Sequence, residues 1–296
     1  MKLLRWFGLL GCLGLLAAPA QAQPTVCTFT GAATDTNYTP YTTQAAMAGQ
    51  VFSNGPAGAV NYYRLTYANV GSTANEIAFD LTQGGGPTTS VTVDFDYRIG
   101  GHADNGDPTS HADGLGFALL NTSQYGSFGA GPAITEEAQG NGATDGTIGV
   151  GLDTWNNGSG TFDPDNNHLS FRYFDLGANP ADGNPFRGMT CYTQFAGSLT
   201  PFNYQLHQGE PGDAVSPFDD TASPFDHFHM VVNFGTTGAT VTITITPGTG
   251  RGTAFSPISG LLLPGVLPYE MRAAFGARTG GSTDNHDIAN VNIVFQ

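Results

Sequence analysis

Lysine is almost missing from this chain of 296 residues: none follows Lys2, and nine basic residues in all stand against 24 acidic ones. Binding to phosphate backbones or anionic bilayers rests on clustered Lys and Arg, so this balance argues against nucleic acid and anionic membranes as partners. Cysteine is scarce too, at three residues. No long segment keeps apolar residues at i, i+3 and i+4, which leaves room only for few and short helices. The signatures of common hydrolases are absent as well: there is no G-x-S-x-G, no H-E-x-x-H and no E-x-D-x-x-E.

The first 22 residues read as a secretory leader, with Lys2 and Arg5, an apolar run from Trp6 to Ala18, and the small-x-small site Ala20-Gln21-Ala22. That run is shorter than the roughly 20 residues a membrane-spanning helix needs. The expectation is a mature chain of residues 23–296 starting at Gln23, one domain, secreted or periplasmic, with no membrane insertion. Leu9-Leu10-Gly11-Cys12 also makes a passable lipoprotein box, although cleavage there leaves a short apolar region. Without the leader, seven basic residues face 24 acidic ones, a net charge of −17. Cys27 and Cys191 remain, in a compartment that permits disulfides, and are expected to pair; the alternative is two buried thiols.

What the chain has in abundance is alternation. Val91, Val93, Phe95, Tyr97 and Ile99 are set against Thr92, Asp94, Asp96 and Arg98; Val241, Ile243 and Ile245 alternate with threonines; Leu169, Phe171 and Tyr173 alternate with Ser170 and Arg172; Val291, Ile293 and Phe295 close the chain. A period of two in β-branched and aromatic residues means strands with one face toward a core. Gly, Pro, Asn and Asp clusters between the runs supply turns. The fold class is therefore all-β, an antiparallel sandwich whose topology the pattern does not give. The stretch Phe174–Ser223 is rich in Gly, Pro, Asp and Asn and reads as an elaboration made of loops.

The densest chemistry lies in Val150–His168, V-G-L-D-T-W-N-N-G-S-G-T-F-D-P-D-N-N-H. Asp153, Asn157 and Asp163 offer carboxylate and amide oxygens at short intervals, and Trp155 a main-chain carbonyl, the donor set calcium takes. An Asx-rich turn is the alternative, with the same oxygens spent on backbone donors.

This segment resembles the metal-binding loop of the L-type lectins, the legume lectins and their animal and bacterial relatives. Two further segments fall in that family's order: His111–Leu120 (H-A-D-G-L-G-F-A-L-L) is similar to its A-D-G block, and Phe275–Ile288 (F-G-A-R-T-G-G-S-T-D-N-H-D-I) to its last sugar-binding loop. The resemblance covers most of the chain after about residue 26. It implies a legume-lectin-type jelly roll, with calcium held by Asp153, Trp155, Asn157 and Asp163. His168 is the remaining metal candidate, or else it packs and hydrogen-bonds Asp163. Gly151 stands where legume lectins carry the Glu of a second, transition-metal site, which puts that site in doubt. The resemblance further implies a cis peptide at Ala112-Asp113 and glycan binding by Asp113, Asn157, Gly129 and the turn Thr279-Gly280-Gly281-Ser282. Phe128 and Tyr125 are the aromatic candidates to stack on a sugar ring. Mannose and glucose are the family's default ligands, and oligomerisation is left open.

A glucanase-like hydrolase on the same sandwich is the rival reading. Such enzymes need two carboxylates facing one bond, and the adjacent Glu136 and Glu137 point to opposite faces if they lie on a strand. An adhesion module with a vestigial sugar site is a third reading, which the presence of all four acidic and amide residues argues against. His227 and His229 read as a pair at a strand edge or on the surface with no third ligand evident. Asp104-Asn105-Gly106-Asp107 is a weaker calcium candidate.

Overall fold

The computed structural model describes residues 25–31, 35, 37–44, 48–56, 60–80, 86–101, 111–132, 134, 136, 148–156, 165–173, 197–209 and 218–296. The leader, Cys191 and with it the pairing to Cys27, Asn157, Asp163, Glu137, the Asp104–Asp107 run and most of Phe174–Ser223 lie outside the described residues.

Alternation sets the core. On β6 (Ser90–Gly100), Val91, Val93, Phe95, Tyr97 and Ile99 are all buried, while Thr92, Asp94 and Asp96 are half-buried on the other face. β6 is central to the larger sheet, which runs β14 (Phe255–Pro264), β13 (Gly238–Thr246), β12 (Asp226–Phe234), β6, β16 (Asn285–Phe295), β4 (Tyr62–Thr66), β3 (Gln50–Phe52). β1 (Thr25–Phe29) takes up the last residues of β16 beyond its pairing with β4, and β11 (His207–Gln208) runs parallel to the end of β6. The second sheet runs β10 (Gly197–Ser198), β9 (His168–Tyr173), β8 (Ile148–Asp153), β7 (Gly114–Asn121), β15 (Met271–Thr279), β5 (Thr73–Phe79), β2 (Tyr38–Thr42). Among the described residues β11 is the one parallel strand, and the one α-helix is the single turn Thr122–Tyr125.

Between the sheets Phe95 stacks on Phe228 at 4.7 Å and meets Phe275 edge-on at 4.9 Å. Each buried aromatic of this kind contributes about 1.5–3 kcal/mol through removal from water. The two sheets thus form a sandwich whose inner faces interdigitate.

The outer face of the second sheet is covered too. Its outward positions form rungs in register across four strands, Gly149–Ala118–Ala274–Ala78, all small, and Gly151–Gly116–Gly276–Glu76, small on three strands and ending in a buried carboxylate. The chain after Tyr125 lies in the trough these residues leave: Ile134 packs with Ala78, Ala118, Leu120 and Ala274 in a second apolar cluster. A Cβ on Gly276 would collide with the Ile134 backbone, and one on Gly151 with the Glu136 backbone. Arg272, fully buried, holds the start of this cover by donating to the carbonyls of Tyr125 at 2.9 Å and Gly129 at 2.7 Å.

One outward position departs from the expected pattern. Arg98 shares a face with Asp94 and Asp96 but is fully buried, because residues 218–225 close over it. It donates to Asp287 Oδ2 at 2.8 Å and to the carbonyls of Asp220 and Ser223, both at 3.0 Å, with Phe225 against its guanidinium at 4.4 Å. Arg64 grips the same Asp287 at 2.7 Å. A buried charge survives when paired and fully hydrogen-bonded, and here two arginines share one buried aspartate.

Candidate functional site

β8, β7 and β15 are neighbours, so the loop ends that carry the three motifs meet at one end of the second sheet. The Ala112-Asp113 peptide is cis. Asp113 is nearly buried; its N–H donates to Arg278 O at 3.1 Å and its carbonyl accepts from Thr154 N at 3.0 Å. Those two bonds tie the start of β7 to the ends of β15 and β8. Asp153, fully buried, pairs across strands with Gly114 on one side and His168 on the other.

The turn Thr279–Ser282 hangs beside Asp113. Gly280 passes so close that a Cβ there would stand 3.7 and 3.9 Å from the Asp113 carboxylate oxygens, whereas a Cβ on Gly281 would meet nothing within 4 Å. Gly280 O accepts from Ser72 N at 2.9 Å. Thr279 differs from the expected role: its hydroxyl is turned inward, donating to Val70 O at 2.8 Å and lying 2.8 Å from Thr73 Oγ1. It anchors the turn, and what the turn presents is the backbone of Gly280 and Gly281 with Ser282.

Two residues that motif reading did not single out for the site complete it. Arg278 Nε lies 2.9 Å from Asp113 Oδ2 and 2.9 Å from both carboxylate oxygens of Glu136. Glu136 is fully buried, and burial pushes its carboxyl up to about 7, with Arg278 opposing and Asp113 adding to the rise. One guanidinium therefore fixes the Asp113 carboxylate from one side. Beneath the same loops His207 Nε2 is 2.9 Å from Asp284 Oδ1, and the His207 and His111 rings stack at 4.4 Å, joining the segments that lead into Asp113 and out of the 279–282 turn.

Gly129 is not part of this grouping. Its carbonyl is bound by Arg272, and Arg272 precedes Arg278 by six residues on β15, roughly 20 Å at a strand's rise per residue. Phe128, 78% exposed, is next to it in the chain, and Tyr125 packs against the small-residue cluster. The covering segment crosses the sheet, so it delivers Glu136, not Gly129, to Asp113.

The loop expected to hold calcium is described in part. Asp153 Oδ1 accepts from Trp155 N at 2.8 Å, and Asp153 Oδ2 lies 3.7 Å from His168 Nε2. His168 Nδ1 is 2.7 Å from the carbonyl of Asp165. A buried carboxylate with a carbonyl two residues on suits a hard cation, and its second oxygen is not the one the turn uses. Asn157 and Asp163, the other expected ligands, lie outside the described residues, among which no three His, Cys, Asp or Glu side chains surround a common point. For the transition-metal site the misfit is steric as well as chemical. Gly151 not only lacks the carboxylate; the Glu136 backbone and Ser170 occupy the space any side chain there would need.

No protein-family model matches the chain, and no curated protein matches it in sequence. Solved structures do. The lectin from Bauhinia forficata in complex with GalNAc aligns with 93% of this chain and 99% of its own at a TM-score of 0.54 and 12% identity. Lectin I from Ulex europaeus, in complex with the methyl glycoside of α-L-fucose, aligns with 92% of this chain and 98% of its own at 0.54 and 13%. The fold is that of the legume lectins. The exoplasmic/lumenal domain of VIP36 in its calcium- and mannose-bound form aligns over 87% of this chain and 82% of its own, at 0.47 and 15%. Within the lectin fold, Asp113, Asp153 and the Thr279–Ser282 turn stand together at one end of the second sheet, and Glu136 and Arg278 join them.

Proposed function

We propose that the protein is a secreted lectin that binds neutral glycans at Asp113, beside a calcium ion held by Asp153, the Trp155 carbonyl, Asn157 and Asp163. The observation that carries this reading is the setting of Asp113: a carboxylate fixed by Arg278 and bordered by Gly280, which puts no side chain against its oxygens, next to a Gly281 with open space where a Cβ would stand. A fixed carboxylate accepts hydroxyl hydrogen bonds without paying to reorganise, and backbone donors can approach a ligand where no Cβ intervenes. The carboxylates of Asp113 and Asp153 outnumber Arg278, which favours cations and neutral hydroxyls over anionic sugars. Asn157 would contribute its carbonyl to calcium and its NH₂ to the sugar. The leader at residues 1–22 supports export.

Binding, and not hydrolysis, is the activity this geometry supports. Glu136 is the carboxylate nearest Asp113 through Arg278, but it is fully buried and salt-bridged, so it faces no substrate bond. A glycan array probed with calcium and with excess chelator tests the reading, alongside Asp113→Asn. We expect calcium-dependent binding of millimolar to micromolar strength that the variant loses, since two hydroxyl acceptors represent about 2–3 kcal/mol. Undiminished glycan binding by Asp113→Asn, or release of reducing ends from the bound glycan, would refute it.

A further inference from the structure

On the opposite side of the sandwich, the outer face of the larger sheet carries a cluster that the sugar site does not use. His227 and His229 alternate outward on β12, which lies inside the sheet and not at its edge. Register places His227 opposite Asp96 and His229 opposite Asp94 on β6. His227 Nδ1 is 2.7 Å from Asp96 Oδ1, His229 Nδ1 is 2.7 Å from Asp94 Oδ1, and His227 Nε2 is 3.4 Å from that same Asp94 oxygen. Asn290 Nδ2 donates to Asp96 Oδ2 at 2.7 Å. The flanking positions are Thr244 and Thr246 on β13 and Asn292 on β16, so no Lys or Arg from an adjacent strand neutralises the two carboxylates.

Two imidazoles and two carboxylates on neighbouring strands are the donors of a zinc-type site. Ligands about 2.0–2.1 Å from a tetrahedral ion stand roughly 3.3–3.4 Å apart, which is the separation between His227 Nε2 and Asp94 Oδ1. The shorter His229 contact, at 2.7 Å, must open by about 0.6–0.7 Å to reach that separation. Without metal the rings satisfy themselves on the carboxylates, and no three donors yet surround one point. The rings are 42% and 38% exposed, which leaves them free to turn. We propose that His227, His229 and Asp94, supported by Asp96, form a surface site for a zinc-type divalent cation, separate from the calcium loop.

Titration calorimetry of the full protein with zinc chloride, in excess calcium, tests this directly. One equivalent of zinc should bind in the micromolar range. The His227→Asn/His229→Asn double variant should weaken it at least roughly thirtyfold, and Asp94→Asn roughly tenfold, with melting temperature in metal-free buffer unchanged because these side chains lie on the surface. Zinc binding that is no tighter than millimolar, that is the same in the double variant, or that excess calcium displaces, would overturn the assignment.

Discussion

Replacing Gly151 by alanine isolates what the cover over the second sheet does. The Gly151 φ lies outside the left-handed region, so any cost is steric and not conformational. A Cβ there would overlap the Glu136 carbonyl oxygen, stand 2.6 Å from the carbonyl carbon, and crowd the Ser170 hydroxyl. Neither neighbour yields easily, since the carbonyl is backbone, it already accepts Ser170 Oγ at 3.2 Å, and its own side chain is gripped by Arg278. Overpacking alone costs about 1–3 kcal/mol. Lifting Glu136 also strains a buried ion pair whose complete rupture costs about 3–5 kcal/mol. A net loss of roughly 2–4 kcal/mol is expected, or a fall in melting temperature of roughly 5–15 °C for a domain of this size. Urea unfolding at constant m measures it, with Gly281→Ala as the control, because that Cβ meets nothing within 4 Å and should shift stability by no more than about 0.5 kcal/mol. The steric reasoning fails if Gly151→Ala is as stable as the wild type, or if the two variants lose stability equally. The same overlap means that Gly151→Glu cannot rebuild a transition-metal site.

Two more outcomes bear on ions and protons. Excess chelator should lower the melting temperature, because a ligand at a hundred times its Kd stabilises the native state by roughly 2.7 kcal/mol; curves that superimpose with and without calcium would leave the Asp153 loop as an Asx turn. Burial under the cover pushes the Glu76 carboxyl up to about 8 from 4.5, against backbone hydrogen bonds from Gly131 and Ile134 and the charge of Arg272. The folded state then holds this proton more tightly than the unfolded chain, so the contribution is complete below about pH 4.5 and lost as pH rises through about 8. Glu76→Gln should flatten the fall in urea midpoint between about pH 5 and pH 9, and an unchanged slope would mean that another group titrates there.

The strands were legible because burial on a strand has a period of two, and the run Val91–Ile99 needs no distant information to show which side faces the core. Arg98 shows where that logic stops: its parity is read correctly from the sequence, yet its burial is decided by residues 218–225, which return over it from more than a hundred residues away. The candidate site divides in the same way. Asp113, Asp153 and Gly280 each belong to a local motif that the sequence displays, and their convergence follows from β7 lying between β8 and β15. Glu136 belongs to no motif, and Arg278, although it lies inside the Phe275–Ile288 block, has no role there that the motif announces, since what joins the two is a segment crossing a sheet. That crossing did leave a trace in Gly116, Ala118, Gly149, Gly151, Ala274 and Gly276, small residues at the middle outward positions of three strands whose inward positions include Phe117, Val150 and Phe275. Outward residues facing water have no reason to be small and apolar together. A sheet face built from glycine and alanine implies a neighbour at backbone distance: the Glu136 backbone takes the space over Gly151, and from that position its carboxylate reaches the Arg278 guanidinium that holds Asp113.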